Sequence, residues 1–233
     1  FKISKDFPRV SKIKRHVDEL LVIFPFEVDF YHKNGIEVTY VGNPLLDEIA
    51  KENFKFTYQA EKPIIALLPG SRKQEIERIL PQMLTVVNDF PTHQFVLAAT
   101  NSFTKAYYQS FIKEKNVVLV FDETYSLLSN ATAALVTSGT ATLETALFNV
   151  PQVVCYKANW LTYVLAKNLI TIKYLSLVNI LMDKLVVKEL IQSDLNQNKL
   201  KQELELVLYK NENILLAYKK LKELLNKKGA SKN

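Results

Sequence analysis

The chain is poor in glycine. Five stand among 233 residues, about 2% where about 7% is usual. Each glycine therefore marks a sharp backbone turn or a place where something approaches closely. Cysteine is scarcer still. Cys155 stands alone, which excludes an internal disulfide and fits a reducing compartment. Its apolar surroundings read as those of a small core hydrophobe. The three histidines, His16, His32 and His93, are far apart and lack ligand spacing. A D-x-D pair for a nucleotide-bound cation is also missing, so neither a metal nor any other cofactor is expected. No apolar run reaches the ~18–20 residues of a membrane span. The richest segment, NWLTYVLAKNLITIKYLSLVNILM, is broken by Lys167 and Lys173. The opening FKISKDFPRV lacks a signal-peptide pattern. Without an initiator Met, residue 1 is not expected to be the natural start.

What the chain does have is an apolar fraction of 48% and a net charge of +6, with a pI near 9.1. The excess charge lies at the ends. Residues 196–233 hold nine Lys against four Glu, and residues 1–20 hold six Lys or Arg against three acids. Solvated helix faces explain this; so does attraction to an anionic partner. No nucleic-acid-reading pattern accompanies the charge, so nucleic acid is not an expected partner. An anionic lipid surface remains open.

Strand and helix patterns alternate. LLVIFP (20–25) and IEVTYVG (36–42) read as strands, each followed by a helical stretch, the second opening at Pro44. Residues 54–62 read as a linker. Apolar runs at PIIALLPG, QFVLAAT, NVVLVF, AALVTSG and PQVVCY then alternate with helices. After residue 186 only helical patterns are read, VVKELIQ among them. Near-continuous apolar strands joined by helices predict an α/β fold with a doubly wound, Rossmann-like parallel sheet. In such sheets ligands sit at the carboxyl ends of the strands. Gly70 and Gly139 fall at such ends.

LLPGSR closes a strand and opens the helix SRKQEIERILPQMLTVVNDF, with Ser71 as the expected N-cap. The free N–H groups of Ser71 and Arg72, with the Arg72 guanidinium, would hold an anion. An ordinary strand-to-helix turn with a surface arginine fits the same residues. TSGTATLE (137–144) repeats the geometry with Ser138, Gly139 and Thr140. Glu144, one turn on, is able to accept from vicinal hydroxyls; equally, Thr140 or Thr142 caps and Glu144 supports the first turn. Together the two loops describe a nucleoside diphosphate site, with Lys157 as a further cation.

The ordered motifs LLPGSRKQEI, SGTATLE, VVCYKANWLTYVLAKNLI, YLSLVNIL and VVKELIQ resemble the lipid-A-disaccharide synthase family, as does VDELLVIFPFEVDFYHKNGIEVTYVGNPLLDEI upstream. The resemblance implies an inverting glycosyltransferase of the two-domain GT-B fold. It would transfer 2,3-diacylglucosamine from UDP to 2,3-diacylglucosamine 1-phosphate and release UDP. UDP would then sit on Gly70, Ser71, Arg72, Ser138, Gly139, Thr140, Glu144 and Lys157, with Asn179 of SLVN lining the site and Arg72 stabilising the leaving group. Residues 1–53 would end an N-terminal domain, 54–62 link, 63–195 bind UDP-sugar and 196–233 form C-terminal helices. The acceptor pocket and general base would lie in an N-terminal domain outside this chain, while Asp122 and Glu123 read as helix-capping residues. The implied location is cytoplasmic, peripheral at the inner membrane of a Gram-negative bacterium. Val178 and Asn43 depart from the family's S-L-P-N and G-H-P. The family's W-A-W stretch before RVSKIKRHVD is skipped near Ser4, and a final helical piece would follow KKGASKN. Trp160, Leu161, Tyr163 and Val164 read as core or interface residues, or as a lipid-contacting patch. The C-terminal helices either pack on their own chain or exchange within a homodimer. The rival readings are a UDP-hexosamine epimerase on the same architecture and a non-catalytic UDP-binding module.

Overall fold

Strand and helix alternate along the chain in a computed structural model that describes residues 8–50, 54–113, 115–158 and 173–225. The first unit comprises α1 (Pro8–His16), β1 (Leu21–Val22), α2 (Pro25–Lys33), β2 (Thr39–Tyr40) and α3 (Pro44–Ile49). β1 and β2 pair in parallel, Leu21 opposite Thr39. Asn43 caps α3, its Oδ1 accepting the Leu45 N–H at 3.0 Å, and Pro44 takes the first helical position. Asn43 is 1% exposed, and among the described residues its Nδ2 has no hydrogen-bond partner.

The larger unit carries β3 (Ile64–Leu68), α4 (Lys73–Met83), β4 (Gln94–Ala99), α5 (Lys105–Ile112), β5 (Val117–Phe121), α6 (Thr124–Asn130), β6 (Ala131–Thr137), α7 (Thr140–Leu147) and β7 (Gln152–Tyr156). It continues through α8 (Leu177–Met182), β8 (Lys188–Ile191), α9 (Gln197–Tyr209) and α10 (Glu212–Leu225). The six strands from β3 onward form one parallel sheet in the order β5-β4-β3-β6-β7-β8. The chain leaves β3 toward one edge, returns to pair β6 with β3, and continues to the other edge. The direction of winding thus reverses between β3 and β6.

All five positions of β3 and all six of β4 are buried, as strands covered on both faces must be. Alternate residues serve opposite faces. Ile65, Leu67, Phe95, Leu97 and Leu135 join α4 and α9 in one core, with Leu200, Leu204 and Val207 from α9. Ile64, Ala66, Leu68, Val96 and Val136 join Leu127 and Leu128 of α6 in another. A third core brings Leu143 and Leu147 of α7 against Val178 of α8 and Tyr218 and Leu221 of α10, with Phe24, Leu45 and Leu46 packed on it. The C-terminal helices therefore pack on their own chain.

Two local readings need correction. VVKELIQ is not helical at its centre: Lys188–Ile191 is the sixth strand, paired with β7 from Val153↔Lys188 to Tyr156↔Ile191. Only Leu190 in it is buried, so this edge strand lacks the apolar run that marks its neighbours. The helix after β3 begins at Lys73 with Arg72, not Ser71, at the capping position, and it ends at Met83. A 3-10 turn, Leu84–Asp89, follows Pro81, whose ring removes a backbone donor. Residues 54–62 lie against the sheet: Phe56 and Tyr58 pack on the α6-side core, and Thr57 bonds through N and Oγ1 to the Glu123 carboxylate at 2.8 and 2.6 Å. The NWLTYVLAKNLI segment, with Trp160, Leu161, Tyr163 and Val164, lies outside the described residues, as does the KKGASKN end.

Candidate functional site

At the reversal between β3 and β6 the carboxyl ends of three strands frame a cleft of ≈ 370 Å³. Leu68 ends β3, Thr100 follows β4 and Thr137 ends β6; the N-termini of α4, α6 and α7 face inward around them. Seven of the nine residues expected to bind nucleotide line this cleft: Gly70, Ser71, Arg72, Ser138, Gly139, Thr140 and Glu144. The reason is topological. Strand-end loops of a doubly wound sheet diverge only where the winding reverses, and both loops flank that gap.

Gly70 has φ +103°, a conformation that disfavours any side chain. A Cβ there would collide with the Glu75 carboxylate and meet Thr137 Cγ2 at 3.2 Å. The group approaching Gly70 in this structure is thus the chain's own Glu75. Glu75 accepts the Arg72 N–H at 3.3 Å through Oε2 and pairs with the Arg72 guanidinium at 3.0 Å through Oε1. The Arg72 side chain is otherwise 83% exposed. Gly139, with φ +151°, has open space where a Cβ would be.

On the β6 side, Gly139 holds the capping position of α7. Thr142 does not cap through its oxygen. It donates to the Gly139 carbonyl at 2.8 Å and accepts the Leu177 N–H at 3.2 Å. Ser138 donates its hydroxyl to the Leu175 carbonyl at 3.0 Å. Glu144 is half-buried and accepts the Tyr125 hydroxyl at 3.2 Å. Burial holds the Glu144 carboxyl above its ordinary range, and the bond from Tyr125 pulls it back down. Burial, with the Glu144 charge beside it, pushes Tyr125 up to about 12.

Asn179 lies elsewhere. It is fully buried, and its amide is consumed by the fold. Nδ2 donates to the Val187 carbonyl and to Glu189, both at 2.8 Å, while Oδ1 accepts from Val186 and Val187 N–H. Glu189 also accepts the backbone N–H groups of Leu175 and Ser176. This network holds the turn before α8, and so the Leu175 carbonyl to which Ser138 donates. Lys157 follows β7, half-buried, and is not a cleft-lining residue. Asp122, with φ +53°, accepts from Asn101, and Glu123 sits at the α6 capping position with its carboxylate turned to Thr57. Among the described residues no cluster of His, Cys, Asp and Glu could hold a metal ion.

The sequence matches the family model described as lipid-A-disaccharide synthetase over residues 6–233. The chain belongs to this family. It is 35% identical over 219 residues to the lipid-A-disaccharide synthase of Acinetobacter baylyi, a match covering 84% of this chain and 55% of that protein. The chain spans about half the length of the curated relatives it matches. Among solved structures it is similar to the calicheamicin glycosyltransferase, with a TM-score of 0.59 at 14% identity over 95% of this chain and 53% of that one. It is also similar to a UDP-GlcNAc 2-epimerase from Neisseria meningitidis bound to UDP-GlcNAc, with a TM-score of 0.52 at 18% identity over 86% and 59%. These likenesses are of fold: a Rossmann-like α/β sheet of the kind that forms half of a GT-B glycosyltransferase.

The cleft also contains residues that the motifs did not single out. Glu75, Thr100 and Thr124 line it, and the buried Thr100 hydroxyl has no hydrogen-bond partner among the described residues. Glu75 was visible in LLPGSRKQEI as an acid three residues after Arg72, the spacing of a capping pair. Thr100 and Thr124 carried no such signal. Thr100 joins the cleft because β4 lies next to β3, and Thr124 because it opens α6, which packs against β3 and β4.

Proposed function

We propose that this chain is the donor-binding half of a glycosyltransferase that moves 2,3-diacylglucosamine from UDP to 2,3-diacylglucosamine 1-phosphate. The observation that carries the reading is the pairing, in one cleft, of two helix N-termini and Arg72 with the Glu144 carboxylate. A diphosphate needs the first group and a ribose needs the second. In this reading residues 1–53 end an N-terminal domain, 54–62 connect, 63–195 hold the UDP-sugar and 196–233 are its C-terminal helices.

The acceptor hydroxyl attacks the anomeric carbon as the bond to UDP breaks, with inversion. Charge developing on the departing diphosphate is met by Arg72 and by the amides that open α4 and α7, a fixed electrostatic environment for the leaving group. The reading calls for no metal or other cofactor. The general base and acceptor pocket are assigned to the part of the relatives' length that this chain does not span. No helix among the described residues is long and apolar enough to cross a membrane. A peripheral site on an anionic inner membrane, facing the cytoplasm of a Gram-negative cell, suits the acylated substrates and the basic ends.

Calorimetric titration with UDP, against ADP as a control, tests the reading. Selective UDP binding that weakens in both Arg72→Ala and Glu144→Ala supports it. Equal binding of both nucleotides, or none, counts against it.

A further inference from the structure

Glu144 is held from behind. Oε1 accepts the Tyr125 hydroxyl, and among the described residues Oε2 takes no hydrogen bond. Tyr125 is itself clamped. The rings of Phe54 and Phe148 lie 5.5 and 5.4 Å from its ring, and 5.6 Å from each other. Phe148 stands one turn beyond Glu144, its N–H donating to the Glu144 carbonyl at 3.1 Å. Phe54 comes from the segment that Thr57 ties to Glu123, at the start of the helix bearing Tyr125. Three separate elements thus converge on one phenol, and among the described residues that phenol has one hydrogen-bond partner.

We propose that Tyr125 is a positioning residue, its hydroxyl fixing the Glu144 carboxylate so that Oε2 is presented to the vicinal hydroxyls of a nucleotide ribose. The assignment rests on the nucleotide reading above. A free glutamate side chain must surrender rotamer freedom when it meets a ligand; one already tethered has less to lose. The tether is always available, because Tyr125 stays protonated through the neutral range. Among the described residues the charged groups around the pair are Glu48, whose charge acts on Tyr125, and Arg72 and Glu75, which line the same cleft. Removing the hydroxyl removes the one contact that lowers the Glu144 carboxyl, which then titrates at higher pH.

The test compares the 233-residue chain with Tyr125→Phe and Glu144→Gln. UDP affinity is measured by calorimetry from about pH 4 to about pH 8.5, a range that starts near the ordinary carboxylate value and runs upward. The Glu144 carboxyl is titrated separately by 13C NMR without nucleotide. Tyr125→Phe keeps the ring triangle and is expected to weaken UDP by about three- to tenfold. The acid limb of its binding profile, and its carboxyl midpoint, move to higher pH. If Tyr125→Phe matches the parent in affinity and midpoint while Glu144→Gln loses binding, Glu144 acts without Tyr125 and the proposal is overturned. A lower melting temperature with affinity and midpoint unchanged overturns it equally, as a packing role alone. If the parent fails to bind UDP, or Glu144→Gln binds as the parent does, the nucleotide reading fails and the proposal falls with it.

Discussion

The Arg72 guanidinium pairs with the Glu75 carboxylate at 3.0 Å, and the same carboxylate accepts the Arg72 N–H. An anion therefore already occupies the start of α4, supplied by the helix itself at the third position. A diphosphate arriving beside Gly70 must share Arg72 with Glu75 or take it over.

Because the Arg72 side chain is largely exposed, its ion pair adds little to the fold. Arg72→Ala is expected to shift unfolding free energy by less than about 0.5 kcal/mol. A charge-assisted bond to phosphate is worth about 1.5–3 kcal/mol, so UDP affinity should fall roughly ten- to a hundredfold. Urea unfolding and calorimetry on the same preparation separate the two effects.

Gly70→Ala should act on both. Its φ of +103° strains any side chain, and the added methyl meets Glu75 and Thr137. A loss of about 1–3 kcal/mol in stability is expected, with weaker UDP binding. An unchanged urea midpoint would show that the turn relaxes freely.

Glu144→Gln should trade function for stability. Folding raises the Glu144 carboxyl, so at low pH, where both states are protonated, it costs the fold nothing. The penalty appears as pH rises past the unfolded value and is complete above the folded one. The variant should therefore melt above the parent at about pH 8 and converge with it near about pH 4. UDP binding should weaken most at about pH 8 and less at acid pH, where the parent's own carboxylate is protonated. A melting difference independent of pH would contradict this.

Asn179→Ala should do the reverse of Arg72→Ala. It removes the Asn179 partner of the buried Val187 N–H and carbonyl and one of the donors to Glu189, costing about 2–3 kcal/mol. Nucleotide affinity of the molecules that remain folded should change little. If instead Asn179 reaches the nucleotide, affinity collapses with the melting temperature held.

The strands from β3 to β7 were legible because burial on both faces leaves apolar runs in the sequence. β8 was not: Lys188 and Glu189 interrupt it, and Glu189 serves as a hydrogen-bond hub whose partners lie 10 to 14 residues upstream. Likewise the two glycine loops were readable from their position at strand ends, but Tyr125 was not. Its partner is 19 residues away on another helix, and nothing local to TYSLLSNA announces the meeting. Asn179 was read toward the cleft because SLVN resembles the family's S-L-P-N motif. The amide instead turns into the core, where β8 needs it.

Tyr40 donates its hydroxyl to the Leu225 carbonyl at 3.1 Å, across 185 residues of chain. Phe24, Leu45 and Leu46 likewise rest on a core that includes Tyr218, Leu221 and Leu225. During synthesis residues 8–50 must therefore wait, without these later neighbours, until α10 emerges. At about 5–20 residues per second that is a delay on the order of ten seconds or more, with Phe24, Leu45 and Leu46 among the apolar side chains left uncovered. The β3–β6 sheet can form meanwhile from closer contacts. Closing the N-terminal unit onto α10 is the late step of folding, and its vulnerability in the cell lies in that interval.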